Sequence, residues 1–421
     1  MKYNVEAFDK WHYICGQVHN YENIIRCRID LCGRIDAEAL KKAVTLSLIT
    51  IPLIACVFES ISKKPRWVEM GFTGENVVNL VEAESDAEYQ IIRSLSSGLD
   101  VSAEPQLKIT IVRGGGGDAL CVALNHMLCD GVGCKQYLYI LCKIYSNLLN
   151  GNEPPPQSYQ QRGLKPLLAG ISLSERIRLL RSDIDYNAPP DNHIQRGLDD
   201  NVGVIGTHIL KRELPTDIFN ALRVYVKAHK ATVNDGLMAL FARAFCMLTG
   251  TERIHIPSTM DLRKFIPPNI KYGPGNYSAN CICSVAITPG DPLEKTIAGI
   301  SRQMTTFKSD NGILKSILSW HYVTRFYSYR TIRDNFANKI KWPVFFYTNI
   351  GVIDAELLKF GSLHVKDAYM MSPIKPRPNL QFSASTFDGC CTLSCNIYGT
   401  ESDRQFIGRI FDSIYAEAAS L

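Results

Sequence analysis

The stretch Ala119-Leu-Cys-Val-Ala-Leu-Asn-His126-Met-Leu-Cys-Asp130-Gly131-Val-Gly-Cys-Lys-Gln-Tyr-Leu138 decides how this chain is read. Ala119 to Leu124 is an unbroken apolar run, the pattern of a buried strand. From Val132 to Leu149 the apolar residues recur at helical spacing, with Leu138, Leu141, Ile144, Tyr145 and Leu148 on one face. His126 and Asp130 therefore sit on a tight strand-to-helix turn, where a polar side chain is costly unless paired. An imidazole, with an ordinary pKa near ~6.5, can take a proton from a hydroxyl or amine as that group attacks an acyl carbonyl. Asp130 is placed to brace the turn, and Gly131 to let the backbone bend without a Cβ clash. A histidine beside an apolar strand is by itself more often a satisfied core residue, and Asp-Gly is an ordinary turn. The combination His-x-x-x-Asp-Gly on a strand-turn-helix carries the functional reading.

His126-Met-Leu-Cys-Asp130-Gly131 resembles the His-x-x-x-Asp-Gly motif of the chloramphenicol acetyltransferase-like superfamily. That group includes alcohol acetyltransferases, plant BAHD acyltransferases, wax ester synthases, mycobacterial polyketide-associated acyltransferases and condensation domains of nonribosomal peptide synthetases. The resemblance implies an α/β (α+β) chain of two lobes, each a mixed sheet flanked by helices, with an active-site channel between them. It implies His126 as general base. Arg263 matches the superfamily's arginine in the second lobe that pairs with the motif Asp, and a guanidinium is the natural bidentate partner for a buried carboxylate. Thr232-Val-Asn-Asp235 resembles a helix start of wax ester synthases, and also reads as an ordinary cap. Gly275-Asn276 resembles an element near the channel, though it is equally a plain turn. Thr348-Asn349-Ile-Gly351 resembles the Ser/Thr-Asn-x-Gly of alcohol acetyltransferases and condensation domains, which makes Asn349 a substrate-binding candidate. Ser385, on one strand face with Ser383, is an oxyanion-donor candidate.

Departures narrow the choice. The plant-type Asp-Phe-Gly-Trp-Gly is absent, as is the His-x-x-Leu-Arg of condensation domains. Asn125 stands where condensation domains usually carry a second histidine. These features favour acyl-CoA as donor to a hydroxyl or amine on a small-molecule acceptor. A free-standing condensation-type enzyme using a carrier-protein phosphopantetheine thioester is the alternative. A non-catalytic carrier- or partner-binding module is the rival of another class, and Cys129 as a nucleophile beside His126 is a weaker one.

With 421 residues, the chain is long for one compact domain. We expect one lobe over 1–165, a linker or crossover over 166–206, and a second lobe over 207–421. Prolines 154 to 156 and 189 to 190 mark the polar span between them. The composition, 46% hydrophobic and 21% charged, is that of an ordinary globular protein. A net charge of +5 is too mild for a dedicated nucleic-acid binder and suits an anionic cosubstrate. The 14 cysteines are scattered, without Cys-x-x-Cys knuckles, so no metal is expected and the thiols read as reduced, in a cytoplasmic protein. Ala43 to Phe58, the longest apolar stretch, is shorter than the ~20 residues a membrane span needs and is broken by Pro52, so no transmembrane segment is expected. The thioester is expected as cosubstrate, with no bound cofactor, and the protein as a monomer. Gly114 to Gly117 reads as a hairpin turn, since no Lys-Ser/Thr or helix follows to cradle a phosphate.

Overall fold

The computed structural model describes residues 1–19, 22–60, 64–83, 85–152, 162–186, 203, 205–339 and 345–421. Residues 187–202 and 204 of the polar crossover, and Trp342, lie outside them. Among the described residues there are three sheets, of which two are the platforms of two lobes.

The first platform has the order Val365–Met371, Ile24–Leu31, Gly117–Asn125, Leu107–Gly114, Val78–Glu82. Alternation along Ile24–Leu31 sends Ile25, Cys27, Ile29 and Leu31 to one face. There they meet the helices Ala37–Thr50 and Gly131–Leu149 through Leu40, Val44, Tyr137 and Leu141. The other face of the sheet is covered by the helix Ala87–Ser96, whose Ile91 and Leu95 pack on Val112, Ala119 and Cys121. Burial on both faces is why Ala119 to Leu124 is apolar without alternation. Asp36 opens its helix by accepting the Ala39 N–H at 3.0 Å.

The second platform runs Ser278–Ala286, Arg253–Asp261, Phe345–Ile353, Leu380–Phe387, Cys390–Gly399 and the stub Lys375–Pro376, with Gly206–Leu214 also pairing to Cys390–Gly399. Its central helix, Val233–Thr249, is apolar all round because it is buried. Thr232 and Asp235 form a reciprocal capping box at its start. Phe345–Ile353 lies along the whole of Leu380–Phe387 but meets Arg253–Asp261 at one position only, Tyr347 beside Ser258. The sheet thus parts on that side, and on the other side the ladder with Leu380–Phe387 shifts register at Asn349–Gly351.

Two pieces cross between the halves. The strand Val365–Met371 joins the first platform, and Ile350, Ile353, Leu358 and Phe360 fill the first lobe's core. In return, the helix Ala7–His19 packs on Leu314–Phe326 and Tyr329–Lys339 through Ile14, Cys15 and Ile332. Trp11 meets Trp320 edge-on at 5.0 Å, and the Trp320 indole donates to the Ala7 carbonyl at 2.7 Å.

Most elements lie where periodicity places them, with two differences. Leu53 to Glu59 reads as a strand from its apolar residues, yet it begins as a 3-10 turn, Pro52–Ala55, because proline removes the N–H a ladder needs. The helix expected over Ile313 to Tyr329 stops at Phe326, where Ser328 restarts a second helix by accepting the Thr331 N–H at 3.1 Å. Among the described residues no single helix is long and apolar enough to cross a membrane. One bent pair passes by length and composition, but its two helices meet at 105° and the second is the buried core helix.

Candidate active site at the seam of the lobes

His126 follows the last residue of the strand Gly117–Asn125. The turn that presents it is shaped by Asn125, which is buried. Asn125 donates to the Gln106 side chain at 2.7 Å and accepts the Met127 N–H at 2.9 Å. The residue standing in place of a second motif histidine is therefore a structural strut. Asn276, from the second lobe, donates to the carbonyls of His126 at 2.9 Å and Met127 at 3.2 Å. It holds the His126 turn from the far side of the seam.

Asp130 caps the helix Gly131–Leu149 by accepting the Gly133 N–H at 2.8 Å. Its carboxylate also accepts the Tyr277 N–H at 2.8 Å and two bonds from Arg263, at 2.8 and 3.0 Å. Arg263 donates further to the Gly275 carbonyl at 3.0 Å and lies over the Tyr277 ring at 4.9 Å. Both side chains of the pair are only 7% exposed. The arginine expected from the resemblance is thus joined to the motif Asp across the lobes, and its charge is compensated by hydrogen bonds as well as by the carboxylate.

The His126 ring is surrounded deeply yet keeps part of its surface exposed, because two cavities meet at it. Thr259, Ser278, Pro373 and Gln381 line both cavities with His126. One cavity continues past Asp130, Gly131, Arg263 and Asn349. The other continues past His12, Glu22, Phe346 and Lys375. His126 Nδ1 is buried and makes no hydrogen bond of normal geometry. Its own carbonyl and the Asn276 side chain lie close enough to favour a proton on the ring, but burial outweighs them and lowers the pKa below 6.5. His12 stacks on His126, ring centres 4.2 Å apart and planes 30° off parallel. Burial and the neighbouring His126 push the His12 pKa well below 6.5.

Asn349 lines the cavity on the Arg263 side, its side-chain Oδ1 accepting the Gly351 N–H at 2.9 Å. Ser385 is not brought to His126: its hydroxyl accepts the Met370 N–H at 3.1 Å and ties two strands together, away from both cavities. Gly131 lines the cavity as the first helical residue, with no positive φ, so bending is not its reason. The close approach falls instead on Gly133, where a Cβ would stand 2.6 Å from that of Cys129 and 2.9 Å from the Gly275 oxygen. Cys129 is 2% exposed, lines neither cavity, and burial raises its thiol pKa far above 9.0, which removes the nucleophile reading. Among the described residues no group of three or more His, Cys, Asp or Glu side chains is arranged to hold a metal ion.

His12 and Lys375 were not singled out from sequence. His12 lies on an N-terminal helix with no motif spacing to His126, and Lys375 on a two-residue strand stub.

No protein-family model matches the chain, and no curated protein does. Solved structures match it over its whole length. The epimerization domain from the third module of tyrocidine synthetase B is 15% identical, with TM-score 0.72, covering 100% of this chain and 96% of its own. Polyketide synthase associated protein 5 from Mycobacterium tuberculosis is 17% identical, with TM-score 0.69 and 100% of both chains covered. Trichothecene 15-O-acetyltransferase from Fusarium sporotrichioides is 12% identical, with TM-score 0.69, covering 99% of this chain and 94% of its own. The chain therefore has the two-lobed, mixed α/β fold of condensation domains and acetyltransferases.

Proposed function

We propose that the protein is an acyltransferase that moves an acyl group from a thioester, acyl-CoA by preference, to a hydroxyl or amine on a small-molecule acceptor, with His126 as general base. The observation that carries this reading is the position of His126, a partly exposed imidazole at which two cavities meet. Donor and acceptor can then reach one base from different cavities.

With Nδ1 buried, Nε2 is the atom left to act. It takes the proton of the acceptor O–H or N–H as that atom bonds to the thioester carbonyl carbon. The tetrahedral intermediate collapses, the C–S bond breaks, and the imidazolium returns the proton to the leaving thiolate. Burial keeps the ring neutral at neutral pH, as a base must be. The oxyanion needs donors placed where charge develops. Thr259, Ser278 and Gln381, which line both cavities, are better placed for that than Ser385. Asp130 and Arg263 act through position, locking the turn and the second lobe in register. The thioester is the cosubstrate and brings its own activation, so no bound cofactor is invoked.

Asn125 in place of a second histidine favours coenzyme A over a carrier protein as donor. The test is thiol release on incubation with acyl-CoA and with acyl-loaded carrier. Turnover with acyl-CoA supports the proposal, and turnover only with carrier transfers the donor role. No turnover with either, while a partner is still bound, overturns it in favour of a binding module. His126→Ala should lower turnover by a factor on the order of 10² to 10⁴.

A further inference from the structure

The N-terminal helix Ala7–His19 carries no motif, yet it lays an imidazole on the base. The His12 ring stacks on His126, centres 4.2 Å apart, and both rings line the same cavity. Two sets of hydrogen bonds tie this placement to the His126 turn. In the first, the His126 N–H donates to the Asn23 carbonyl at 2.8 Å, and the Asn23 side chain donates to the His12 carbonyl at 2.7 Å. In the second, one turn back along the helix, Asp9 is 0% exposed and accepts from both terminal nitrogens of Arg162, at 2.7 and 2.9 Å. The Trp67 indole adds a third bond to that carboxylate, at 2.8 Å. Arg162 in turn donates to the carbonyl of Met127, the residue after His126, at 3.1 Å. Residues three apart share a helix face, so the anchor at Asp9 also sets where His12 falls.

Resting on the acyl-transfer reading above, we propose that His12 is a positioning residue for the base: its ring lies as a plate on His126, fixes the angle at which Nε2 meets the two cavities, and keeps water off that face. The outer torsion of a histidine is broad and roughly two-fold, so a ring at the junction of two cavities has no intrinsic reason to hold one angle. A flat neighbour tied to the same turn supplies the reason. A base must lie within hydrogen-bond reach of the proton it takes, and a small misplacement costs rate. The plate has to be neutral, because a charged ring 4.2 Å away would repel the proton that His126 accepts. Burial and the neighbouring His126 keep it so. His12 aims the base, then, and takes no proton from substrate.

The plate has a pH signature. Burial is the main cause of the lowered His126 pKa, so removing the ring above it admits water and lets that pKa climb back toward 6.5. More of the base is then protonated at a given pH, and the acid limb of kcat/KM moves up. The other titratable and charged groups around His126 are common to every variant. They are Cys15, Glu22, Tyr347 and Lys375 in the His12 cavity, and Asp130, Asp261 and Arg263 in the other. A moved limb therefore reports the plate.

The test follows turnover of acyl-CoA against pH in the whole protein, in His12→Ala and in His12→Phe. His12→Ala should lower kcat about tenfold and leave KM within about twofold. Its acid limb should move up by about half a pH unit or more. His12→Phe, which keeps a flat ring, should recover most of kcat and the original limb. A His12→Ala profile like that of the unaltered protein, or a His12→Phe as slow as His12→Ala, overturns the proposal. If His12→Ala fails to fold, His12→Leu decides: it fills the space without a plane, should show the rate loss, and overturns the proposal if it turns over like the unaltered protein. Imidazole titration by NMR needs no substrate, and His126 should titrate higher in His12→Ala than in the unaltered protein. That shift without turnover of any thioester by the unaltered protein refutes the acyl-transfer reading and leaves the plate standing. Turnover without the shift refutes the plate alone.

Discussion

On one side of His126 a carboxylate and a guanidinium neutralise each other; on the other, two imidazoles stack in the wall of a second cavity. The Asp130–Arg263 cluster leaves little unsatisfied. The carboxylate accepts from Gly133, Tyr277 and both Arg263 terminal nitrogens, and the arginine adds Gly275. Such a cluster fixes geometry. The His12 side is the reverse. The stacked imidazoles, 4.2 Å apart, both lose by burial, which lowers the pKa of each. The contrast separates residues that hold the site from residues that wait for substrate, and each kind should fail differently when altered.

The largest effect on folding is expected at Arg263→Met. It leaves Asp130 as a lone buried charge and should cost about 3–5 kcal/mol, read as a fall in the urea midpoint. If stability hardly moves, the cluster is not the lock described here. Gly133→Ala strikes the same side through sterics. The new Cβ meets backbone of Gly275 and should cost about 1–3 kcal/mol, again by denaturant titration.

The acid sensitivity of the protein tests the other side. His126 and His12 both titrate below 6.5 when folded, so the unfolded chain binds more protons than the folded one below that pH. The stability they contribute is complete above about pH 6.5 and drains as pH falls toward their lower folded values. Urea midpoints measured from about pH 7.5 down to about 5 should show the loss, while kcat/KM should hold level below the ordinary histidine pKa. The smallest effect is expected from His12→Phe, which keeps a flat ring against His126. Stability should change by less than ~1 kcal/mol, and the acid loss should shrink. A large destabilisation would mean that His12 belongs with the holding residues.

How much of this was legible in the sequence follows the range of the forces. The strand, turn and helix around His126 are local, and apolar spacing places them within a residue or two of Gly117–Asn125 and Gly131–Leu149. The Asp130–Arg263 pair spans the lobes but was legible because a buried carboxylate demands a partner and the family resemblance named a position for one. The exchanged pieces were not. Ala7–His19 mixes Trp11, His12, Ile14 and Cys15 without a clean stripe, because one side faces a chamber and the other a second helix. Val365–Met371 reads as a strand only once Ile24–Leu31 is known to need a neighbour. Ser385 was misplaced because strand alternation gives the face of a side chain and not what stands opposite; opposite it is the Met370 amide.

The exchange of Val365–Met371 and Ala7–His19 makes the two halves mutual creditors of structure. A fragment ending near residue 186 would bare the edge of Ile24–Leu31 and offer it to any passing strand, a route to aggregation. Its N-terminal helix would also lose the surface that buries Ile14 and Cys15. A protease nick in the crossover after folding should instead leave two fragments that travel together through gel filtration.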